Sequence, residues 1–328
     1  MSLHDLPEDW KRWYKDPNSV VTLDDIAKVE ATMTQALHAA PETLFWYWIA
    51  ERHAIYLRRK AGEPKPWTTD PILRDYKFTN PFRQNDRGTV WLTEHFLEPH
   101  RDDDLGLLAF NIAWYRMFNW WGTGELLGWR DNWHSAAMAT ILEEAMRQGK
   151  QVFTGSHIVY SRPGMSKIDC IVDVCSELYH LCLAGGAFTT VCAEENSLEA
   201  VYELLKTVDC VGNFMAYEMV TDMRHTRLLE GASDIMTWAN MGPGAKRGLG
   251  RLGLPCANQT QGNASMQQLL SHAPFGYVGA LGVGGIIDLD KLPPFEMRDI
   301  EHSLCEFDKY CRVKFGEGEP RSKFDGRG

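Results

Sequence analysis

Nowhere in the chain is there an uninterrupted apolar run of about 18 residues, the length a helix needs to cross a bilayer, so no membrane partner is expected. The opening MSLHDLPEDWKRWYKDP is polar and charged where a secretory signal requires an apolar stretch, which leads to the expectation of a cytoplasmic protein. The cysteines Cys170, Cys175, Cys182, Cys192, Cys210, Cys256, Cys305 and Cys311 contain no C-x-x-C pair and no zinc-finger spacing. Most lie in apolar, helix-like surroundings, so they read as reduced structural residues. A phosphate-cradling G-x-x-x-x-G-K-[ST] is missing, and the nearest approach, Gly242-Pro-Gly-Ala-Lys-Arg-Gly248, has neither the spacing nor the terminal hydroxyl residue. Gly279, Gly282, Gly284 and Gly285 miss the dinucleotide spacing, and neither H-E-x-x-H nor G-x-S-x-G occurs. An obvious ATPase, dehydrogenase, zinc protease or α/β-hydrolase is thereby excluded.

What is present is ordinary globular chemistry: 328 residues, 44% hydrophobic, 24% charged, with 34 Lys+Arg against 44 Asp+Glu and a net charge of −10. A chain of this length buries roughly 75% of its unfolded surface and needs no staple. Helical spacing of apolar residues predicts helices at 23–38, 42–60, 133–148, 197–207, 213–225 and 296–313, and 105–121 is apolar nearly all round, as in a central buried helix. The tryptophans, among them Trp46, Trp48, Trp120 and Trp121, are expected mainly in the core. Segment 151–161 reads as a short strand or extended loop, and 242–296, rich in Gly and Pro, as loop with short helices. The expected organisation is a helical extension over 1–40, a mostly α catalytic domain over 41–314 and a fraying tail over 315–328.

The informative stretch is 197–238. An amphipathic helix leads into Val208-Asp-Cys-Val-Gly212, and a second helix opens at Asn213. A small turn before a helix N-terminus exposes backbone amides that can hold one DNA phosphate. Asp234 follows Gly212 by 22 residues, with Trp238 beyond it. This arrangement resembles the helix-hairpin-helix DNA glycosylase superfamily, in which a catalytic Asp stands at about that interval after the hairpin. Two departures are visible: Cys210 replaces the first hairpin glycine, and Phe214 stands where lyase-type members carry a Schiff-base lysine. Lyase chemistry is therefore not expected. An ordinary helical hairpin with a surface Asp is the bland alternative.

Further blocks sharpen the resemblance. They are Glu51-Arg-His-Ala-Ile-Tyr-Leu-Arg-Arg-Lys60 running through Pro64-Lys-Pro-Trp67 to Asp70-Pro-Ile-Leu73; Tyr76-Lys-Phe-Thr-Asn-Pro-Phe-Arg-Gln-Asn-Asp-Arg87; Asp234-Ile-Met-Thr-Trp-Ala-Asn-Met-Gly-Pro-Gly244; and Cys305-Glu-Phe-Asp-Lys-Tyr310 ahead of Gly316-Glu-Gly318. Together, over about residues 45–320, the chain resembles the α-glutamyl/putrescinyl thymine pyrophosphorylases, amino acid:DNA transferases of bacteriophage base hypermodification. The resemblance implies a helix-hairpin-helix glycosylase-like helical fold with long Gly/Pro-rich loops. It also implies double-stranded DNA carrying 5-pyrophosphoryloxymethyl-uracil, and a free amino acid (glycine or serine favoured) or polyamine whose amine displaces pyrophosphate. The location becomes the host cytoplasm if a phage encodes the chain.

That reaction needs a carboxylate near the target base, cations for the leaving group and a grip on DNA. Asp234 is the expected catalytic carboxylate, with Trp238 and Asn240 beside it, either acting directly or locking its turn. Arg83 and Arg87, four apart, with Asn80, Lys246 and Arg247, are expected to hold pyrophosphate or substrate, since the planar guanidinium suits phosphate. Arg83 and Arg87 have a structural alternative in ion pairs with Asp86 or Glu94. Val211, Gly212, Asn213, Arg52, Arg58, Arg59 and Arg251 are the expected DNA contacts, the arginines at 52–59 competing with a merely solvated face. His53 reads as a packed histidine. No protein metal site is expected; a Mg²⁺ ion accompanying pyrophosphate would look to Glu306 and Asp308. The net charge of −10 argues against a generic nucleic-acid coat, yet DNA feels the local patch rather than the sum.

Overall fold

A computed structural model describes residues 41–155, 161–280, 293–320 and 323–324; the helix expected at 23–38 lies outside them. Thirteen α-helices run through the described residues: α1 Pro41–Lys60, α2 Pro71–Asp75, α3 Arg87–Leu92, α4 Leu105–Phe118, α5 Trp121–Leu127, α6 Ser135–Arg147, α7 Lys167–Leu183, α8 Ala187–Glu194, α9 Leu198–Leu205, α10 Asn213–Met223, α11 Pro243–Arg251, α12 Gln259–Ala280 and α13 Met297–Lys314. The β-structure among these residues is one isolated bridge between Tyr76 and Lys323. The fold is mostly helical, as expected. No single described helix is long and apolar enough to cross a membrane.

α4 forms the centre. Asp104 caps it by accepting the Gly106 and Leu107 amides at 2.9 and 3.1 Å, and eleven consecutive residues from Leu108 to Phe118 are buried. The helix stops earlier than the apolar run suggests because Asn119 turns left-handed at φ 46° and accepts the Arg116 guanidinium. α7 and α10 pack on α4, and α6 packs on α7. At the crossing with α7, a Cβ on Gly106 would lie 2.6 Å from the Cys182 carbonyl oxygen, so only glycine permits the approach. α7 buries Cys170, Cys175 and Cys182, and burial pushes the nearby Cys192 thiol up to about 12. The cysteines are free thiols filling apolar space.

The segment 242–296, expected as loop with short helices, holds the short α11 but also the whole of the 22-residue α12. Gly and Pro are helix breakers when a helix stands alone, but here they serve packing. Pro243 occupies the first turn, where its missing amide costs nothing. Gly244 and Gly248 let α11 lie against α13 so closely that a Cβ on Gly248 would meet the Leu304 carbonyl carbon at 2.9 Å. Segment 151–155 has no regular structure, and 156–160 are outside the described residues. The tail expected to fray is anchored where it is described: Glu317 pairs with Arg251, and the Phe324 amide donates to the Asp75 carbonyl.

Two alanine substitutions two residues apart on α11 test this packing. Gly248→Ala is expected to lower stability by about 1–3 kcal/mol through overpacking. Gly250→Ala, whose Cβ meets nothing within 4 Å, is expected to raise it by roughly 0.5–1 kcal/mol. Urea denaturation of both variants checks the contrast.

Candidate nucleic-acid interface

The hairpin begins with Ser197, which caps α9 through the Ala200 amide at 3.2 Å. Asp234 completes that cap. Its carboxylate accepts the Leu198 amide at 2.7 Å, the Glu199 amide at 3.0 Å and the Ser197 hydroxyl at 2.8 Å. A carboxylate at a helix N-terminus is where the macrodipole favours negative charge. The chain then turns through Val208–Gly212. The Val211 side chain is buried, and its amide donates to the Val208 carbonyl at 3.1 Å. Cys210 sits at φ 66°, a conformation glycine adopts at lower cost. Gly212 opens α10 without any side-chain cap; Gly212, Asn213 and Phe214 are exposed, and the space around the Gly212 Cα is open.

Behind this turn runs the strap 234–242. Trp238 is buried, with its ring 5.3 Å from Tyr202 on α9 and 5.7 Å from Tyr217 on α10. Asn240 accepts the Tyr202 hydroxyl at 3.2 Å and reaches the Asn213 carbonyl at 3.5 Å. The strap therefore locks the angle between the hairpin helices and brings the start of α11 beside the start of α10. Gly242 opens α11, again without a side-chain cap, and its amide donates to Glu301 Oε1 on α13 at 3.3 Å.

Beneath the strap lies a buried charged cluster. Arg116 on α4 grips Asp222 on α10 through two hydrogen bonds of 2.6 Å, and Arg83 donates to Glu218 at 2.6 Å. Arg116 also reaches Glu218 at 3.4 Å. Burial alone would raise the Glu218 carboxyl, but Arg83 and Arg116 outweigh it and hold the group at about 2. α13 encloses the cluster. Its Asp299 accepts the Arg83 amide at 3.5 Å, Glu306 accepts the Thr79 amide at 3.0 Å, and His302 shares a hydrogen bond with the Thr79 hydroxyl. Glu301 differs from its neighbours. Burial, with Glu218 nearby, pushes its carboxyl up to about 8 even though the Gly242 amide and Arg83 favour the ionised form.

The expected site residues divide into two groups. Gly212, Asn213, Trp238, Asn240 and Asp234 meet at the hairpin. Lys246 and Arg247, on the exposed side of α11, follow directly from the strap. The expected basic patches otherwise dissolve into internal bonds. Arg83 does not share a helical face with Arg87: it lies in the 3₁₀ turn Arg83–Asn85, buried among Asp86 and Glu218, whereas Arg87 starts α3 and stacks over Trp121 at 5.5 Å. The ion-pair alternative with Asp86 is what forms. Asn80 donates to the Asn85 carbonyl and to Asp86, shaping the same turn. Arg52 donates to the Phe78 carbonyl and Arg58 to the Trp67 carbonyl, while Arg59 is exposed. Arg247 and Arg251 both pair with Asp308, and Arg251 with Glu317. His53 is buried edge-on to Phe82 at 4.9 Å, and burial with Arg52 nearby lowers it to about 4.

Lys309 pairs with Glu306 at 2.6 Å, and Asp308 is engaged by its arginines. Both carboxylates expected to meet Mg²⁺ are thus taken by internal cations, and no group of three or more metal-ligand residues occurs among the described residues. The donor set does not fit a resident Mg²⁺. Missed by sequence reasoning were Arg116, Glu218, Asp222, Tyr217 and Glu301. The available signal was charge on helices otherwise apolar: α4 carries its Arg in a buried run, and α13 buries Asp299, Glu301, Glu306 and Asp308.

Residues 41–319 match the family described as 5-hmdU DNA kinase, helical domain. The chain belongs to that family. A 5-hmdU DNA kinase of Bacillus phage SP10 is 27% identical over 332 residues, covering 90% of this chain and 48% of the relative, so the chain spans about half the relative's length. No solved structure matches it. All the elements that build the hairpin, the strap and the charged cluster fall within the matched helical-domain residues.

The charged cluster of this helical domain makes two predictions. Arg116→Met leaves the buried Asp222 without its cation and is expected to cost about 3–5 kcal/mol in urea denaturation, whereas Arg116→Met combined with Asp222→Leu recovers most of it. Glu301 titrates in the opposite sense to a paired carboxylate. Its folded value of about 8 exceeds the ordinary 4.5, so the unfolded chain loses this proton first, and stability falls as pH rises between those values. Glu301→Gln is expected to flatten that fall in melting curves recorded across the window.

Proposed function

We propose that this chain is a DNA thymine-hypermodification transferase. The amine of a free amino acid, with glycine or serine favoured, or of a polyamine displaces pyrophosphate from 5-pyrophosphoryloxymethyl-deoxyuridine in double-stranded DNA. The observation that carries the reading is the hairpin with its strap, standing in a domain family named for a kinase of 5-hmdU. A kinase acting on a hydroxymethyl base places a phosphoryl group on the exocyclic oxygen, which turns a poor leaving group into a good one. An amine is the natural next reactant.

On this reading, the backbone amides at the exposed Gly212 and Asn213 hold a DNA phosphate at the positive end of α10. Lys246 and Arg247 supply cationic charge on the same side, toward pyrophosphate or the DNA backbone. Trp238 and Asn240 are positioning residues, since they set the hairpin angle through Tyr202 and Tyr217. Asp234 is also a positioning residue: three donors at the start of α9 occupy its carboxylate. Because few cations are left unpaired, the grip on DNA is weak, and the few counterions released make its salt dependence shallow.

Nucleoside mass spectrometry tests the proposal. Duplex DNA carrying the pyrophosphorylated base, incubated with the protein and a panel of amino acids and polyamines, is expected to release pyrophosphate and yield an amine-substituted thymine. Abasic sites instead of an adduct would identify a glycosylase, and binding with neither product a DNA-binding module. Gly212→Ala is expected to fold normally, since its φ of −79° suits any residue and the space is open, while weakening DNA binding roughly tenfold by setting a methyl between amide and phosphate.

A further inference from the structure

We propose that Glu301 is the general base that takes the proton from the attacking amine, an inference that rests on the transferase reading above. Glu301 lies on α13 directly beneath Gly242, at the meeting point of the strap with the start of α11. The glycine matters, since a Cβ at position 242 would stand 3.4 Å from Glu301 Oε1 and crowd the carboxyl from above. On the α10 side, the buried Tyr217 hydroxyl has no hydrogen-bond partner among the described residues, and its ring rests against Trp238. An unused polar group, a carboxyl and a glycine gap therefore lie together two residues from Asn240 and one helix turn from the exposed hairpin amides.

The competing carboxylates are excluded by their partners. Asp234 is saturated by the start of α9, Glu218 and Asp222 by Arg83 and Arg116, Glu306 by Thr79 and Lys309, and Asp308 by Arg247 and Arg251. Glu301 has no ion pair among the described residues. The groups that face it are Tyr217 and Glu218 on α10, Arg83 in the turn before α3, and Cys305 on its own helix. Their balance keeps it a better proton acceptor than an ordinary carboxylate.

The step balances as follows. The carboxylate of Glu301 takes one proton from the donor ammonium, leaving a neutral amine. The nitrogen lone pair forms the C–N bond to the exocyclic methylene as the C–O bond breaks, and that electron pair departs with pyrophosphate. The nitrogen then loses its second proton to solvent, giving the secondary amine.

The experiment uses the full chain, a duplex bearing one 5-pyrophosphoryloxymethyl-deoxyuridine, and glycine or putrescine, with adduct formation followed from neutral to alkaline pH. The wild-type rate is expected to rise with an apparent pKa near 8 that is the same for both donors. Glu301→Gln is expected to lose about 10²–10³-fold in kcat with DNA affinity retained and a melting temperature no lower than that of the wild type. Glu301→Ala is expected to regain part of the rate when acetate or formate is added. Glu301→Gln with wild-type kcat and pH profile would overturn the assignment while leaving the transferase reading intact. So would loss of rate in both variants accompanied by weakened DNA binding and no rescue. Absence of any adduct with the wild-type chain removes the transferase reading and this base together.

Discussion

Two guanidinium groups and two carboxylates share one space in the interior, and the arrangement of the helices follows from keeping them together. Arg116 and Asp222 are each almost wholly withdrawn from water, and Arg83 and Glu218 nearly so. Each ion separated from its partner would carry a desolvation cost of several kcal/mol. The cluster consequently pins four pieces of chain that are far apart in sequence: the turn at 83–85, α4, α10 and, through Asp299 and His302, α13. Apolar packing could hold these pieces at many angles. Paired charges with fixed directions accept few.

α13 transmits that constraint to the surface. Successive acidic residues on it receive a different part of the fold each: the turn at Arg83, the strap at Gly242, the extended segment at Thr79, and α11 at Arg247 and Arg251. The close glycine contacts of α11 make the last of these possible, since a helix with side chains at 244 and 248 would stand too far away. The strap, tied to α13 at one end and to the start of α9 at the other, then fixes where the α10 amides point. Interior electrostatics and surface geometry are in this sense one structure.

The negative charge of the chain is resolved by the same facts. Much of the acid does not oppose DNA, because it is turned inward against arginine. By the same token much of the base does not attract DNA either. Arg52, Arg58, Arg83 and Arg251 look like a nucleic-acid surface when read along the chain, yet their guanidinium groups are engaged internally. What faces solvent near the hairpin is backbone amide, Phe214 and the Lys246–Arg247 pair. On the proposed function, recognition by backbone dipoles is weak and local, as suits a search for one altered base rather than the coating of a duplex.

Apolar residues three and four apart were enough to place the hairpin helices and the terminal α13, and a nearly all-apolar run the buried α4, because a helix must write the faces it buries into its sequence. The hairpin turn was legible too, since a short apolar-Gly turn before a polar helix start has few other uses. Side-chain partnership was not legible. Asp234 follows the hairpin and Glu301 lies on α13, and nothing in the local sequence distinguishes the one that caps a helix from the one that has no ion pair among the described residues. Glycine-rich 242–253 likewise reads as loop until a neighbouring helix is present to occupy the space its missing side chains leave. The sequence by itself thus determined the helices and the hairpin, which depend on contacts within a few residues. Tertiary structure alone decided which charges are spent and which remain available, because that depends on groups brought together from more than a hundred residues away.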